Sequence, residues 1–361
     1  MCLKHFSSPV AESSTSPGKH TDPVWQVKWV NKGTERGETL VSISTDGRLV
    51  EWSMKKGLSF SPLMVLKRIG NTEGVISRQA SGLSFDFPSG DSATYFAGTE
   101  DGLIHKCSVS YNEQYLETYS GHFGPVYRIR CSPFWDRLFL SCSADWTVRL
   151  WEQRQTTPLH TLRSVDLSDV VNDVAWSPTC STVFASVAGD GRVELWDLRR
   201  STLDPVVSLN MNKLERASQD SNGVEGNQAR DNRTTTGENM SPKSGLETHS
   251  DAGGTSSSKA GGPRATVGGR PAAPAASSPA SVVGSVMGGE SSNLKAGVET
   301  IQLTAVTLAA NAPVLAVGGS DGAVDVYKIV GIDVNPGISH KEQVERLQAA
   351  VLGTNHNTAN G

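Results

Sequence analysis

Asp145, His122 and the serines and threonines near them are the residue types of a hydrolase. A carboxylate orients an imidazole, the imidazole takes a proton, and a hydroxyl attacks. The repetition of the aspartate argues against that chemistry. It stands at Asp46, Asp101, Asp145, Asp190 and Asp321, each time between two apolar stretches, as a scaffold residue would. No G-x-S-x-G nucleophile elbow is expected. No G-x-x-x-x-G-K-[ST] phosphate loop occurs either. The expectation is therefore no catalytic, cofactor-binding or metal site.

The elements around each aspartate follow one grammar. Leu140-Ser-Cys-Ser-Ala-Asp-Trp-Thr-Val-Arg-Leu-Trp151 is a short apolar strand, a tight turn at Asp145, and a second strand ending on a large aromatic. Ile43–Trp52, Ala97–Cys107, Ser186–Asp197 and Val317–Tyr327 repeat it. Asp101, Asp145 and Asp190 are spaced by 44 and 45 residues, the ~40–45 of one four-stranded WD-type blade. Asp46 precedes Asp101 by 55, and the loop Gly70–Arg78 absorbs the difference. Asp190 precedes Asp321 by 131, which leaves one long insertion. The fold class is all-β: a WD-repeat β-propeller with five visible four-stranded repeats in an incomplete ring, a long disordered insert and a short C-terminal helix.

The expected organisation begins with a Ser-, Pro- and Thr-rich disordered leader, residues 1–22. Four blades fill 23–210, opening on the alternating strand Val24-Trp-Gln-Val-Lys-Trp-Val30. Residues 211–298 hold no Phe, Trp, Tyr or Ile and nearly balanced charge, too little apolar surface to offset ordering entropy. The fifth repeat spans 299–330. Residues 339–352 form an amphipathic helix, with Ser339 and Glu342 as a capping box, Gly353 as the stop, and Val344, Leu347 and Val351 on one face.

Bulk properties fit a scaffold. Hydrophobic content is 37% and net charge is −4, which gives no electrostatic case for nucleic acid or an anionic membrane. No apolar run reaches the ~18–20 residues of a membrane span. The five cysteines form no C-x-x-C pair, so buried reduced thiols in an intracellular protein are expected.

The turn needs Asp to bond nearby amides and Gly to take positive φ. Gly follows Asp46, Asp101, Asp190 and Asp321. The third-strand aromatics Trp52, Trp151, Trp196 and Tyr327 fill the space between sheets, and Cys107 is the smaller substitute in the second repeat. In WD blades the Asp also bonds a His from a Gly-His turn. Only Gly121-His122 is intact, so the third repeat alone is expected to build the network of Asp145, His122, a Ser or Thr, and Trp151. Trp146 stands where Gly is the rule. It is either folded back over the blade edge or an exposed anchor of the kind that dominates interface energy.

The run Ser141–Trp151, with Asp173-Val-Ala-Trp-Ser-Pro178, Ser181-Thr-Val-Phe-Ala185 and Gly98–Cys107, resembles the dynein intermediate chain family. Lys19–Trp29 and Gln114–Tyr119 are closer to its axonemal outer-arm branch. The resemblance is strong over residues 19–210 and weak over 299–352. It implies a non-catalytic subunit of a ciliary or flagellar dynein, in the cytoplasm, cytoskeleton and axoneme. Its propeller would dock on a motor heavy chain beside a second intermediate chain, with Trp146, Phe123, Asp101 and Asp190 as the docking face. Light chains bind an upstream region of that family, so they are expected only if such a region exists. The family's chains are longer, so a fragment or truncated product is favoured here. The alternative is a substrate receptor of a cullin-RING ubiquitin ligase, since Trp151-Glu-Gln-Arg154 and Trp196-Asp-Leu-Arg199 resemble its tandem W-D-x-R boxes one blade apart.

Overall fold

The computed structural model describes residues 18–33, 37–54, 58–70, 78–164, 169–212, 300–334 and 336–353. Most of the insert and of the leader, and residues 71–77 of the loop after the first repeat, lie outside the described residues.

Five antiparallel sheets follow one another along the chain. Blade 1 is β1 (Val24–Asn31), β2 (Glu38–Ser44), β3 (Arg48–Ser53) and β4 (Ser59–Val65). Blade 2 is β5 (Gly82–Asp86), β6 (Thr94–Thr99), β7 (Ile104–Ser108) and β8 (Glu117–Tyr119). Blade 3 is β9 (Val126–Cys131), β10 (Leu138–Ser143), β11 (Val148–Glu152) and β12 (His160–Leu162). Blade 4 is β13 (Val171–Trp176), β14 (Val183–Ala188), β15 (Arg192–Asp197) and β16 (Val207–Asn210). Blade 5 corrects the expectation of four strands in every repeat: among the described residues it has three, β17 (Leu303–Leu308), β18 (Val314–Gly319) and β19 (Val324–Lys328), because the chain after Lys328 leaves the sheet for the C-terminal helix. Within each blade the strands pair in chain order, so every connection is a hairpin. The fold is that of WD-repeat propeller blades.

Each sheet packs its faces on its neighbours, and the inner strands β5, β10, β14 and β15 are buried along their whole length. Trp151 stacks on Phe139 at 6.0 Å and Trp196 on Phe184 at 5.8 Å, both nearly parallel. Both tryptophans are fully buried. Polar links join successive blades. Gln26 donates to Phe85 O and accepts from Phe85 N. Asp86 accepts from Cys131 N at 2.8 Å. Arg128 donates to Asp173 at 2.9 Å, and Asp173 also accepts from Val306 N. Asp173 thus ties blades 3, 4 and 5 together.

The end blades leave apolar side chains uncovered. Val27 and Trp29 on β1 are more than half exposed, as are Val324 and Val326 on β19. The helix α1 (His340–Leu352) begins on the Ser339–Glu342 capping box that the sequence predicts. It returns to blades 3 and 4, where Leu347, Ala350 and Val351 bury among Trp135, Leu162 and Leu198.

Candidate functional site

The hydrogen-bond network of blade 3 is built as expected. His122 Nδ1 lies 2.9 Å from Asp145 and Nε2 lies 2.7 Å from Ser141 Oγ. Trp151 Nε1 donates to the same Oγ at 2.8 Å. With the proton on Nδ1, His122 donates to Asp145 and accepts from Ser141, and every group is satisfied. Burial pushes the His122 imidazole below its ordinary value, against the pull of Asp145. Burial raises Asp145, but His122, Thr147 and the Phe123 N–H outweigh it and hold the carboxyl low. A neutral, buried imidazole whose hydroxyl partner is taken by an indole has no substrate side. The arrangement is a brace rather than a hydrolytic triad.

The expectation of one intact network is corrected by blade 1. His20 Nδ1 lies 3.0 Å from Asp46, Nε2 lies 2.7 Å from Ser42 Oγ, and Trp52 Nε1 donates to Ser42 at 2.8 Å. Thr21 N bonds Asp46 as Phe123 N bonds Asp145, both at 3.1 Å. The glycine before the histidine is dispensable, because Lys19 holds the same turn. The signal was present in the chain: His20-Thr-Asp-Pro-Val24 and His122-Phe-Gly-Pro-Val126 share H-x-x-P-V just before the first strand. Residues 18–22, read as leader, are thereby tied to blade 1.

The expectation of no G-x-S-x-G pattern is corrected at one place. Gly318-Gly-Ser-Asp-Gly322 spells G-x-S-x-G. It connects β18 to β19 rather than a strand to a helix. Ser320 Oγ accepts from Gln302 N there, so it is a turn residue. Among the described residues no group of three His, Cys, Asp or Glu is placed to hold a metal. No helix among them is long and apolar enough to cross a membrane. Cys107, Cys131, Cys142 and Cys180 are free thiols, and burial pushes Cys107 up to about 12.

The turn face carries the exposed residues. Gly47, Gly102, Gly191 and Gly322 take positive φ after their aspartates. Trp146 does the same at φ +66°, the one non-glycine residue there among the described residues. Left-handed backbone costs an L-residue roughly 1–2 kcal/mol, so the ring is held outward at a cost to stability. Trp146 is 40% exposed and Phe123 92% exposed. Arg163 lies over the Trp146 ring at 5.6 Å and Arg149 over Phe123 at 5.9 Å.

Contacts make this face continuous. A side chain at Gly102 would meet His122 O at 2.6 Å, so the Asp101 turn abuts the Phe123 loop. Phe123 N bonds Asp145 beside Trp146. Ser164, next to Arg163, accepts from Arg192 at 3.1 Å, and Arg192 N bonds Asp190. Phe123 and Trp146 are the exposed aromatics of this run. Asp101 and Asp190 lie at its two ends, each occupied locally: Asp101 pairs with Arg68 and Asp190 with Arg192. Burial raises both carboxyls, against those arginines. Sequence reading missed Arg149 and Arg163, whose neighbours are visible only in three dimensions. Arg154 and Arg199 are exposed.

The family model described as "WD domain, G-beta repeat" matches residues 113–152 and 156–197. Dynein axonemal intermediate chain 4 of Xenopus laevis is 48% identical over 217 residues, 55% of this chain and 29% of that protein. The Rattus norvegicus protein of the same name is 50% identical over 220 residues, 56% of this chain and 27% of its own length. Dynein intermediate chain 2, ciliary, of Heliocidaris crassispina is 37% identical over 184 residues, 49% of this chain and 26% of that protein. The chain thus spans less than a third of the length of these relatives. The chain carries WD repeats and, over about 55% of its length, is similar to axonemal dynein intermediate chains.

Proposed function

We propose that the chain is a non-catalytic scaffold of an axonemal dynein and that its turn face binds the motor heavy chain. The observation that carries this reading is Trp146: an exposed indole kept at positive φ where glycine would be relaxed. Strain maintained at an exposed aromatic is a mark of binding sites. Arg163 lies over its ring, and the neighbouring turn displays Phe123, so an exposed arginine and two exposed aromatics, side chains enriched at protein interfaces, share this face. Homology to axonemal intermediate chains supports the assembly and the ciliary location. The second intermediate chain is the companion this reading expects. The outer-arm assignment rests on Lys19–Trp29 and Gln114–Tyr119.

Affinity purification of the tagged chain from ciliated cells tests the proposal. Heavy chains and a second intermediate chain should co-purify. Trp146→Ala should weaken heavy-chain capture by about 2 kcal/mol, as hot-spot truncations do, with the fold retained. Capture of a cullin adaptor, lost on charge reversal at Arg154 and Arg199, would establish the ubiquitin-ligase reading instead.

A further inference from the structure

The connection between β15 and β16 is the longest of the four links from a third strand to an outer strand. It reads Leu198-Arg-Arg-Ser-Thr-Leu-Asp-Pro-Val206. Arg199 and Arg200, the one Arg-Arg pair in the chain, stand three and two residues before Thr202. The apolar Leu203 follows it. A hydroxyl preceded by two cations and followed by an apolar side chain is a pattern that an acidic cleft can recognise.

The fold displays this pattern. Arg199, Arg200 and Leu203 are exposed, Leu203 at 77%. The two hydroxyls differ. Ser201 Oγ accepts from Leu203 N and Asp204 N, both at 3.0 Å, and so closes the turn. Thr202 Oγ1 has no hydrogen-bond partner among the described residues and is not sealed from water. Leu198 and Val206 anchor the two ends of the loop in the core, while residues 199–205 join no buried apolar cluster. Arg200 ties the loop to Gly331 O at 3.2 Å. The strand that follows is exposed over three of its four residues. A segment held this lightly opens locally at low cost and can enter a cleft in extended form.

We propose that Thr202 is a phosphorylation site for a protein kinase that selects basic residues ahead of the acceptor. Carboxylates of the kinase pair with Arg199 and Arg200, and an apolar pocket takes Leu203. Thr202 Oγ1 attacks the γ-phosphorus of ATP as the bond to the ADP oxygen breaks. The hydroxyl proton passes to the kinase's base, and ADP leaves. Ser201 is not the acceptor, because its oxygen is engaged in the turn and it lies one residue closer to the arginines. The product carries about two negative charges, which Arg199 and Arg200 neutralise. β15 runs from the Asp190 turn to this loop, so the site lies at the other end of the blade from the turn face. It depends neither on that face nor on the dynein reading.

The test incubates the purified full chain with ATP and the catalytic subunit of cAMP-dependent protein kinase, which has this preference. Mass spectrometry reads the occupancy of each site. Phosphate should appear on Thr202. Thr202→Val should remove that label, and Ser201→Ala should retain it. Arg199→Ala should lower kcat/KM at Thr202 by about tenfold or more, as loss of a charge-assisted pair does. Thermal melts should show that the variants remain folded. Absence of phosphate on Thr202 of the full chain overturns the proposal; a synthetic peptide of residues 197–206 modified under the same conditions would trace that failure to the fold rather than to the motif. Phosphate on Ser201 in place of Thr202, or an undiminished rate in Arg199→Ala, overturns it as well.

Discussion

The indole of Trp146 lies beneath the guanidinium of Arg163, 5.6 Å from the ring centroid, while its own backbone sits at φ +66°. Each blade with glycine at this position relaxes the turn, and blade 3 instead displays a ring. Stability and binding should therefore separate on substitution. Trp146→Ala and Trp146→Gly lose the same ring, but only glycine relieves the backbone. The glycine variant should be more stable than the alanine variant by about 1 kcal/mol in urea unfolding. Both should lose the same heavy-chain affinity. Equal stabilities would mean that the turn relaxes without glycine.

His20 and His122 occupy equivalent places, so they should be worth similar amounts. Removing either imidazole leaves a buried carboxylate and a serine hydroxyl short of a partner. His20→Ala and His122→Ala should each cost roughly 2–3 kcal/mol. Equilibrium urea denaturation measures both. A negligible effect at His20, beside a full one at His122, would show that blade 1 holds without its brace.

Acid should weaken the fold through blade 2. His105 is buried, stacks on Tyr115 at 3.8 Å and bonds Thr118. Burial pushes it from 6.5 down to about 4. Because the folded value is below the unfolded one, the unfolded chain takes up the proton first as pH falls. The contribution of neutral His105 is complete above about pH 6.5 and declines toward about 4, by up to roughly 3 kcal/mol. His122 acts in the same direction. His105→Gln should flatten the decline between pH 6.5 and 4, read as urea midpoints at several pH values. An unchanged pH dependence would assign the acid sensitivity to other groups.

The blade count, turn aspartates and helix cap were legible because each is a local device with a fixed spacing. The turn aspartates Asp101, Asp145 and Asp190 recur every 44 or 45 residues, and Ser339 and Glu342 lie one helical turn apart. His20 was missed because the reading demanded a preceding glycine, although His20 and His122 share the same H-x-x-P-V setting. The inter-blade ties were not legible. Arg128, Asp173 and Val306 are far apart in the chain and meet only when three sheets stack. The same holds for Arg163 over Trp146. The sequence singles out Trp146 as the residue in place of glycine and leaves its exposure open, and the cation above it comes from the loop after the next strand pair.

The docking position of α1 shows how a polar residue can decide packing. Its apolar stripe is evident in the chain, yet the stripe alone does not choose a blade. Gln343 makes that choice. It is 3% exposed; its side chain accepts from Ser181 N at 3.0 Å and donates to Thr179 O at 2.8 Å. Its backbone carbonyl accepts from Ser181 Oγ at 2.7 Å. These bonds satisfy the loop between β13 and β14, which has no ladder partner. Gln343→Leu keeps the bulk and the apolar stripe but leaves Ser181 N and Thr179 O buried without partners. It should cost about 2–3 kcal/mol. Amide exchange should rise in α1 and around Ser181 while blades 1 and 2 stay protected. Uniform loss of protection across all blades would instead make the helix part of the global folding unit.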